Sequence, residues 1–358
     1  MKMIQGAIGK NDAPSTVDMF LDSGFPPLNY ALSGSWDGGF AVGRIVEISG
    51  PPSSGKTAIA TMAMISAQKA GGFAAFMDHE RSFAEPLAIG LGLNISPSNF
   101  VFKKPETFED SIEIAAKLGS VIRKNKLIDA KAPIVVVFDS LAGMVPQSAM
   151  FDAKGKERDA STRNMNDNSA LARATSAHFP ALNQHAEKYN MCLIFLNQVR
   201  NKIGVVFGDP RTTPGGDAPK FWASQRVMLG ASMIKVATDP KPLGQEVTAN
   251  VIKNKVSRPF LKASWRFMYQ PDGSGRFDFE RSMVDFLIGE DVIKKGSKPG
   301  TIIWEDAETK PETLARKIER AGEYGKLVKM LKAEVKGLKE EEAEESAFAT
   351  MEDAIASI

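Results

Sequence analysis

An α/β fold, a mostly parallel sheet covered by helices, follows from three features of the 358-residue sequence. Apolar runs of strand length alternate with longer helical stretches, the order that puts parallel strands inside and helices on both faces. A turn of glycine, proline and serine, Gly50-Pro51-Pro52-Ser53-Ser54-Gly55, joins the first of these strands to the first of these helices. The runs Phe73–Met77 and Ile134–Phe138 each end in an acid, Asp78 and Asp139.

In order, the expected elements are a strand over Arg44–Ser49, a helix over Thr57–Ala70, a strand over Phe73–Asp78, a helix over Phe108–Lys124 and a strand over Ile134–Asp139. A helical stretch over Ser169–Lys188, kinked or interrupted at Pro180 because proline has no N–H to donate, leads to a buried strand over Met191–Leu196. Residues 199–217 mix Arg, Lys, Gly, Pro and Thr without helical or strand period and read as a long loop, which inside a compact domain signals function or mobility. Strands over Arg226–Val236, Glu246–Lys255 and Ala263–Tyr269 follow.

The flanks differ from this core. Ser15 and Asp18 suit the cap of a short helix through Met19, Phe20 and Leu21, ended by Gly24 and Pro26-Pro27, so residues 1–33 read as an arm that contacts a neighbouring protomer. The turn-rich run Pro271-Asp272-Gly273-Ser274-Gly275 closes a core domain over 34–270, and a small Lys-rich α+β domain follows over 271–337. Residues 338–358 carry seven acids against one base, a balance of −6 within a chain of net charge +2, so the remainder carries +8. A basic body with an acidic tail suits regulated binding to a polyanion; a merely solubilising tail is the alternative.

With 43% hydrophobic and 25% charged residues, the composition is that of a soluble globular chain and not of a disordered or collagen-like one. No apolar run approaches the roughly 18 residues of a membrane span, and the N-terminus lacks the apolar core of a signal peptide. The single cysteine, Cys192, lies in the run Met191-Cys192-Leu193-Ile194-Phe195, which fits a buried thiol and a reducing, cytoplasmic compartment.

Gly50-Pro51-Pro52-Ser53-Ser54-Gly55-Lys56-Thr57 matches the phosphate-binding pattern G-x-x-x-x-G-K-[ST], with a strand before it and a helix after it. Its glycines let successive N–H groups and the helix N-terminus face phosphates, Lys56 adds charge at the terminal phosphates, and the Thr57 hydroxyl completes an Mg²⁺ shell. Asp139, at the carboxyl end of a buried strand, sits where it can hold Mg²⁺ or its water; on pattern alone a capping role is the alternative. Glu80, just past the strand ending at Asp78, is the candidate to orient an attacking water, whereas His79 and Asp78 read as structural.

The stretch opening Asn197-Gln198-Val199-Arg200-Asn201-Lys202-Ile203-Gly204 and closing Pro214-Gly215-Gly216-Asp217-Ala218-Pro219-Lys220-Phe221 strongly resembles the second DNA-binding loop of RecA recombinases. Read from the residues, Arg200, Lys202, Arg211 and Lys220 suit phosphates, Gly215 and Gly216 allow close backbone approach, and Ile203 can wedge between stacked bases. The resemblance runs from about Gly34 to Phe267 and implies a RecA-type P-loop ATPase core. Within it Glu80 matches the family's catalytic acid and Asp139 its Mg²⁺-side acid. Gln198 falls where RecA-like proteins sense the terminal phosphate, although a plain loop hydrogen bond is the bland reading of one amide. Arg173 falls where the family has an arginine after its first DNA loop. Lys253-Asn254-Lys255 resembles the Lys-x-Lys pair that reaches a neighbouring protomer's ATP, exposed-strand charge being the alternative, and Phe221 takes the place of a residue that couples protomers. A DNA-dependent ATPase is implied, with ATP and Mg²⁺ as cofactors. So are helical filaments on single-stranded DNA and strand exchange with homologous duplex, in a bacterial cytoplasm or, for a phage-borne member, that of its host. The chain departs from the family at Leu87, in place of an adenine-stacking tyrosine, at Ala84, in place of a base-reading acid, and at Arg211 and Asp217 in the DNA loop.

Overall fold

The structure, a computed structural model, describes residues 15–159, 169–201, 211–236, 239–272 and 274–334. Its centre is a nine-stranded sheet of β1 (Ile45–Gly50), β2 (Phe73–Asp78), β3 (Phe100–Lys103), β4 (Ile134–Asp139), β5 (Met191–Gln198), β6 (Gln225–Val236), β7 (Asp239–Asn254), β8 (Lys262–Tyr269) and β9 (Gly275–Asp278). The strands lie in the order β9-β8-β7-β6-β1-β5-β4-β2-β3. From β6 to β3 all neighbours run parallel. Antiparallel β7, β8 and β9 extend the sheet beyond β6. The helices that bear on the site and core include α1 (Pro26–Ser33), α2 (Lys56–Lys69), α3 (Glu85–Leu91), α4 (Phe108–Lys124), α5 (Ala170–Lys188), α6 (Ala218–Trp222), α7 (Phe279–Gly289) and α8 (Pro311–Ala321).

The two-residue period of the strands sorts side chains into two cores. On one face Val46, Ile48, Phe76 and Val135 pack with Ile59, Ala63 and Met64 of α2. On the other Ile45, Ala75, Phe138 and Phe195 pack with Ile112 of α4 and with Phe179 and Leu182 of α5. Phe138 and Phe195 stack with ring centroids 4.3 Å apart. Burial on both faces explains why β4 and β5 read as unbroken apolar runs. α4 starts where it does because Thr107 and Asp110 form a reciprocal cap: Asp110 N donates to Thr107 Oγ1 at 3.1 Å and Thr107 N to Asp110 Oδ2 at 2.9 Å.

Several expectations are corrected. Phe20–Leu21 is a short strand paired with Phe40–Ala41, not a helix, and Pro26-Pro27 opens α1 where it was expected to end one. Proline at the first helical position forfeits only an N–H that has no intrahelical partner anyway. Phe25, Leu28 and Leu32 are buried in this chain's own core, so the described part of the arm packs inward. α5 runs through Pro180 without a break, held by the buried flanking residues Phe179 and Leu182. The loop over 199–217 is closed at its base by antiparallel pairing of Arg200–Asn201 with Arg211–Thr212. The turn at Pro271-Asp272 precedes β9, which pairs with β8, so the sheet itself crosses the boundary drawn at 271. No helix among the described residues is long and apolar enough to cross a membrane. Lys202, Ile203 and the acidic tail 338–358 lie outside the described residues.

Candidate functional site

The carboxyl ends of β1, β2, β4 and β5 converge on one edge of the sheet, the edge at which open α/β sheets bind ligands. The turn leaving β1 curls through left-handed backbone at Ser53 (φ 57°) and Gly55 (φ 83°), and α2 begins at the next residue. Glycine takes that conformation at Gly55 without a steric penalty, so the helix N-terminus and the turn form one anion-facing cradle. Lys56 Nζ donates to the carbonyls of Gly50 (3.1 Å) and Pro51 (2.8 Å), which hold it over the turn. Burial lowers the Lys56 pKa from its ordinary value, opposed by the charges of Asp139 and Glu80. An anion in the cradle relieves that cost. The Ser54 hydroxyl is buried without a hydrogen-bond partner among the described residues, a second group suited to a ligand oxygen.

Thr57 Oγ1 donates to Asp139 Oδ2 at 2.8 Å, joining the start of α2 to the end of β4. Burial raises the Asp139 carboxyl to about 6; the Thr57 hydrogen bond opposes this, and the charges of Glu80 and Asp78 add to it. A hydroxyl and a carboxylate side by side beneath a phosphate cradle fit Mg²⁺, a hard cation that takes few protein oxygens and completes its shell with phosphate and water. Asp78 instead accepts from the loop N–H groups of Ser82 (3.2 Å) and Phe83 (3.4 Å), as a structural acid does. His79 hydrogen-bonds Ser111 Oγ, and burial pulls it down to about 4, which keeps it neutral.

Glu80 is fixed beside this pair by the backbone, since the N–H groups of His79 (2.7 Å) and Glu80 (3.1 Å) both donate to Asp139 O. Its Oε1 accepts from Gln198 Nε2 at 2.9 Å and from Ser140 Oγ. The acid proposed from sequence thus meets the amide at the foot of the loop, although the two are 118 residues apart. Pro52 to Ala58, Glu80, Asp139 and Gln198 line a cleft of about 510 Å³. Ser82, Leu87, Gln245, Phe267 and Tyr269 line the same cleft. Sequence reasoning missed Ser140, Gln245, Phe267 and Tyr269. Their signal was weak, since Gln245, Phe267 and Tyr269 lie on antiparallel strands remote in sequence and only the sheet order brings them to the phosphate turn.

The remaining described candidates do not line this cleft. Lys253 Nζ donates to the carbonyls of Lys220 (2.6 Å) and Phe221 (2.7 Å), and Lys255 Nζ to that of Phe221 (3.3 Å). Both ammonium groups lie over the Phe221 ring, at 6.0 and 5.2 Å from its centroid, and this ring is 64% exposed. Burial, then the neighbouring Lys255 and Arg226 charges, lower Lys253 to about 8. Lys220 pairs with Asp217 at 2.8 Å. Arg200 and Arg211 sit on the two strands of the loop's basal hairpin, and Arg173 donates to Ser169 Oγ on α5. Gly215 (φ 96°) and Gly216 (φ 72°) permit a close approach, and in this structure the surfaces approached are Leu141 and Ala172 of the same chain. Lys253 and Lys255 therefore come together with Phe221, apart from the residues that line the cleft.

A phosphate cradle with a hydroxyl–carboxylate pair at the carboxyl edge of a mostly parallel sheet defines a P-loop nucleoside triphosphatase. The RecA N-terminal domain family matches residues 5–274 of the chain. Protein RecA of Streptococcus pyogenes serotype M1 is 37% identical over 337 residues, which cover 92% of this chain and 81% of that protein. Protein RecA of S. pyogenes serotype M5 (strain Manfredo) is 36% identical over 336 residues, with the same coverage. The chain belongs to the RecA family: it is a DNA recombinase and a DNA-dependent ATPase. The crystal structure of the RadB recombinase aligns with 69% of this chain and 95% of its own, at a TM-score of 0.48 and 22% identity.

Proposed function

We propose that the protein assembles on single-stranded DNA as a helical filament, closes ATP between protomers, and catalyses pairing and strand exchange with homologous duplex. The observation that carries this reading is the Gln198–Glu80 hydrogen bond at 2.9 Å, which ties the foot of the DNA loop to the acid of the nucleotide cleft. Lys56 and the N-terminus of α2 bind the phosphates, and Thr57 with Asp139 holds Mg²⁺. When bound, ATP supplies the terminal phosphoryl group whose hydrolysis drives the cycle. Glu80 accepts a proton from the attacking water and aims it in line. Gln198 has two acceptors to choose between, Glu80 and a terminal phosphate oxygen. On changing partner it moves the strand end that starts the loop, so DNA affinity follows nucleotide state.

Arg200, Lys202, Arg211 and Lys220 meet the DNA backbone, with Ile203 between bases. Lys253 and Lys255, presented with Phe221 on an exposed face outside the cleft, meet the nucleotide and surface of the next protomer. The test is ATP turnover with and without single-stranded DNA, followed by electron microscopy with a non-hydrolysable ATP analogue. Filaments and DNA-stimulated turnover are expected. Closed rings, or turnover indifferent to DNA, would overturn the reading.

A further inference from the structure

Glu47 lies on β1 three residues before the phosphate turn, and it is a carboxylate in the middle of an apolar strand, 1% exposed. An ionised acid in that setting persists only when its charge is met. Two groups meet it. Arg226, its direct partner in the register of neighbouring strand β6, brings Nε to 2.5 Å from Glu47 Oε2. Asn197, on β5 at the other side of β1, donates from Nδ2 to Glu47 Oε1 at 2.9 Å. Residues 47 and 197 stand on one face because β1 and β5 pair in parallel with Glu47 opposite Phe195, two residues before Asn197.

Asn197 is the junction. Its Nδ2 also donates to Pro214 O at 3.1 Å, and its Oδ1 accepts from Gln198 N at 3.0 Å. One buried amide thus clamps both ends of the loop, residue 198 where it leaves the sheet and residue 214 where it returns. Gln198 in turn donates to Glu80 in the cleft. The path Arg226–Glu47–Asn197–Gln198–Glu80 is continuous, with every polar contact at 3.1 Å or less. Pro214 is followed by Gly215, whose carbonyl accepts from the buried Thr175 Oγ1 at 2.7 Å, so the returning end is held to α5 as well.

We propose that Glu47 is a positioning residue for DNA binding: by fixing Asn197 it sets the two ends of the loop and transmits nucleotide state from the cleft to the DNA-binding segment. The proposal rests on the function proposed above. Glu47 does not line the cleft and acts through Asn197. A double-mutant cycle measures the coupling along this path.

The experiment compares the wild-type chain, Glu47→Gln, Asn197→Ala and the double variant. Three quantities are read: the dissociation constant of a fluorescent ATP analogue, the unfolding temperature, and the ratio of single-stranded DNA affinities with and without non-hydrolysable ATP. Each single variant is expected to lower that ratio at least tenfold while nucleotide affinity stays within about threefold. The double variant is expected to lose no more than the worse single, because both act through one junction. Effects that multiply, or an unchanged ratio in folded Glu47→Gln, overturn the proposal. A lower unfolding temperature with the ratio intact assigns Glu47 a purely structural role and overturns it too. Should Glu47→Gln fail to fold, an unchanged ratio in Asn197→Ala is sufficient refutation. If the wild-type chain itself shows no ATP dependence of DNA binding, the function it rests on falls, whereas wild-type dependence that survives both substitutions removes this inference alone.

Discussion

Replacing Glu80 with glutamine tests the catalytic assignment with little structural disturbance. The substitution keeps an Oε1 acceptor for Gln198 Nε2 and Ser140 Oγ, so the contacts that place the side chain survive. It removes the group able to take a proton from water. A positioned general base contributes about 10²–10⁴-fold, or roughly 3–5 kcal/mol at about 1.4 kcal/mol per decade, so turnover should fall at least about a hundredfold. Glu80 lies at the open cleft, where a near-isosteric change costs within about 0.5 kcal/mol; the unfolding temperature should move by no more than about 2 °C. ATP affinity should hold or rise, because one negative charge leaves the neighbourhood of the phosphates. The Asp139 carboxyl, which Glu80 helps to raise, should titrate lower. Single-turnover phosphate release on single-stranded DNA measures the step, and a fluorescent ATP analogue measures binding. Turnover at the wild-type rate would refute Glu80 as the base, and lost ATP binding would refute the claim that it acts on water alone.

Lys56→Ala should weaken ATP binding by about two orders of magnitude without lowering the unfolding temperature, because the buried ammonium is itself unfavourable in the empty cradle; calorimetric titration and a melt check both. If Lys253 and Lys255 serve the next protomer's nucleotide, a mixture of Lys56→Ala chains with Lys253→Ala/Lys255→Ala chains should recover turnover that neither has alone. Inactivity at every mixing ratio would count against a shared site. Lys253 is held near 8, so the unassembled protein loses this proton as pH rises through 8, and kcat/KM should decline there, with Lys253→Arg flattening the profile. The stability sign is opposite: the unfolded chain holds the proton up to about 10.4, so between about pH 8 and 10.4 the unfolded state binds more protons and raising pH stabilises the fold, which a denaturant series across that window reads.

Much of this protein was legible from local order. The phosphate turn and the acids after β2 and β4 depend on short-range periodicity and backbone rules, so Lys56, Thr57, Glu80 and Asp139 could be named as candidates from residues at most a few positions apart, and the structure brings the four to one cleft. The bounds of β2, β4 and α4 also agree with the residues expected. Errors fell where tertiary contacts outweigh local signals. Phe20 and Leu21 form a strand because Phe40–Ala41 is there to pair with them. α5 continues through Pro180, with Phe179 and Leu182 buried on either side, so no interruption occurs there.

The sequence by itself determined the class: a strand, a phosphate turn and a helix in direct succession, with acids at two strand ends, are local features. The order β9-β8-β7-β6-β1-β5-β4-β2-β3 was decided only by the tertiary structure, since strand order depends on which apolar faces can be buried together and leaves no mark in any one segment. That order sets Gln198 on Glu80, brings Tyr269 and Gln245 to the cleft, and seats the charge of Glu47 between Arg226 and Asn197. Glu47 reads in sequence as a polar interruption of a buried strand. Its partners lie 150 and 179 residues away, and only packing, which makes an unpaired buried charge too costly to keep, brings the three together.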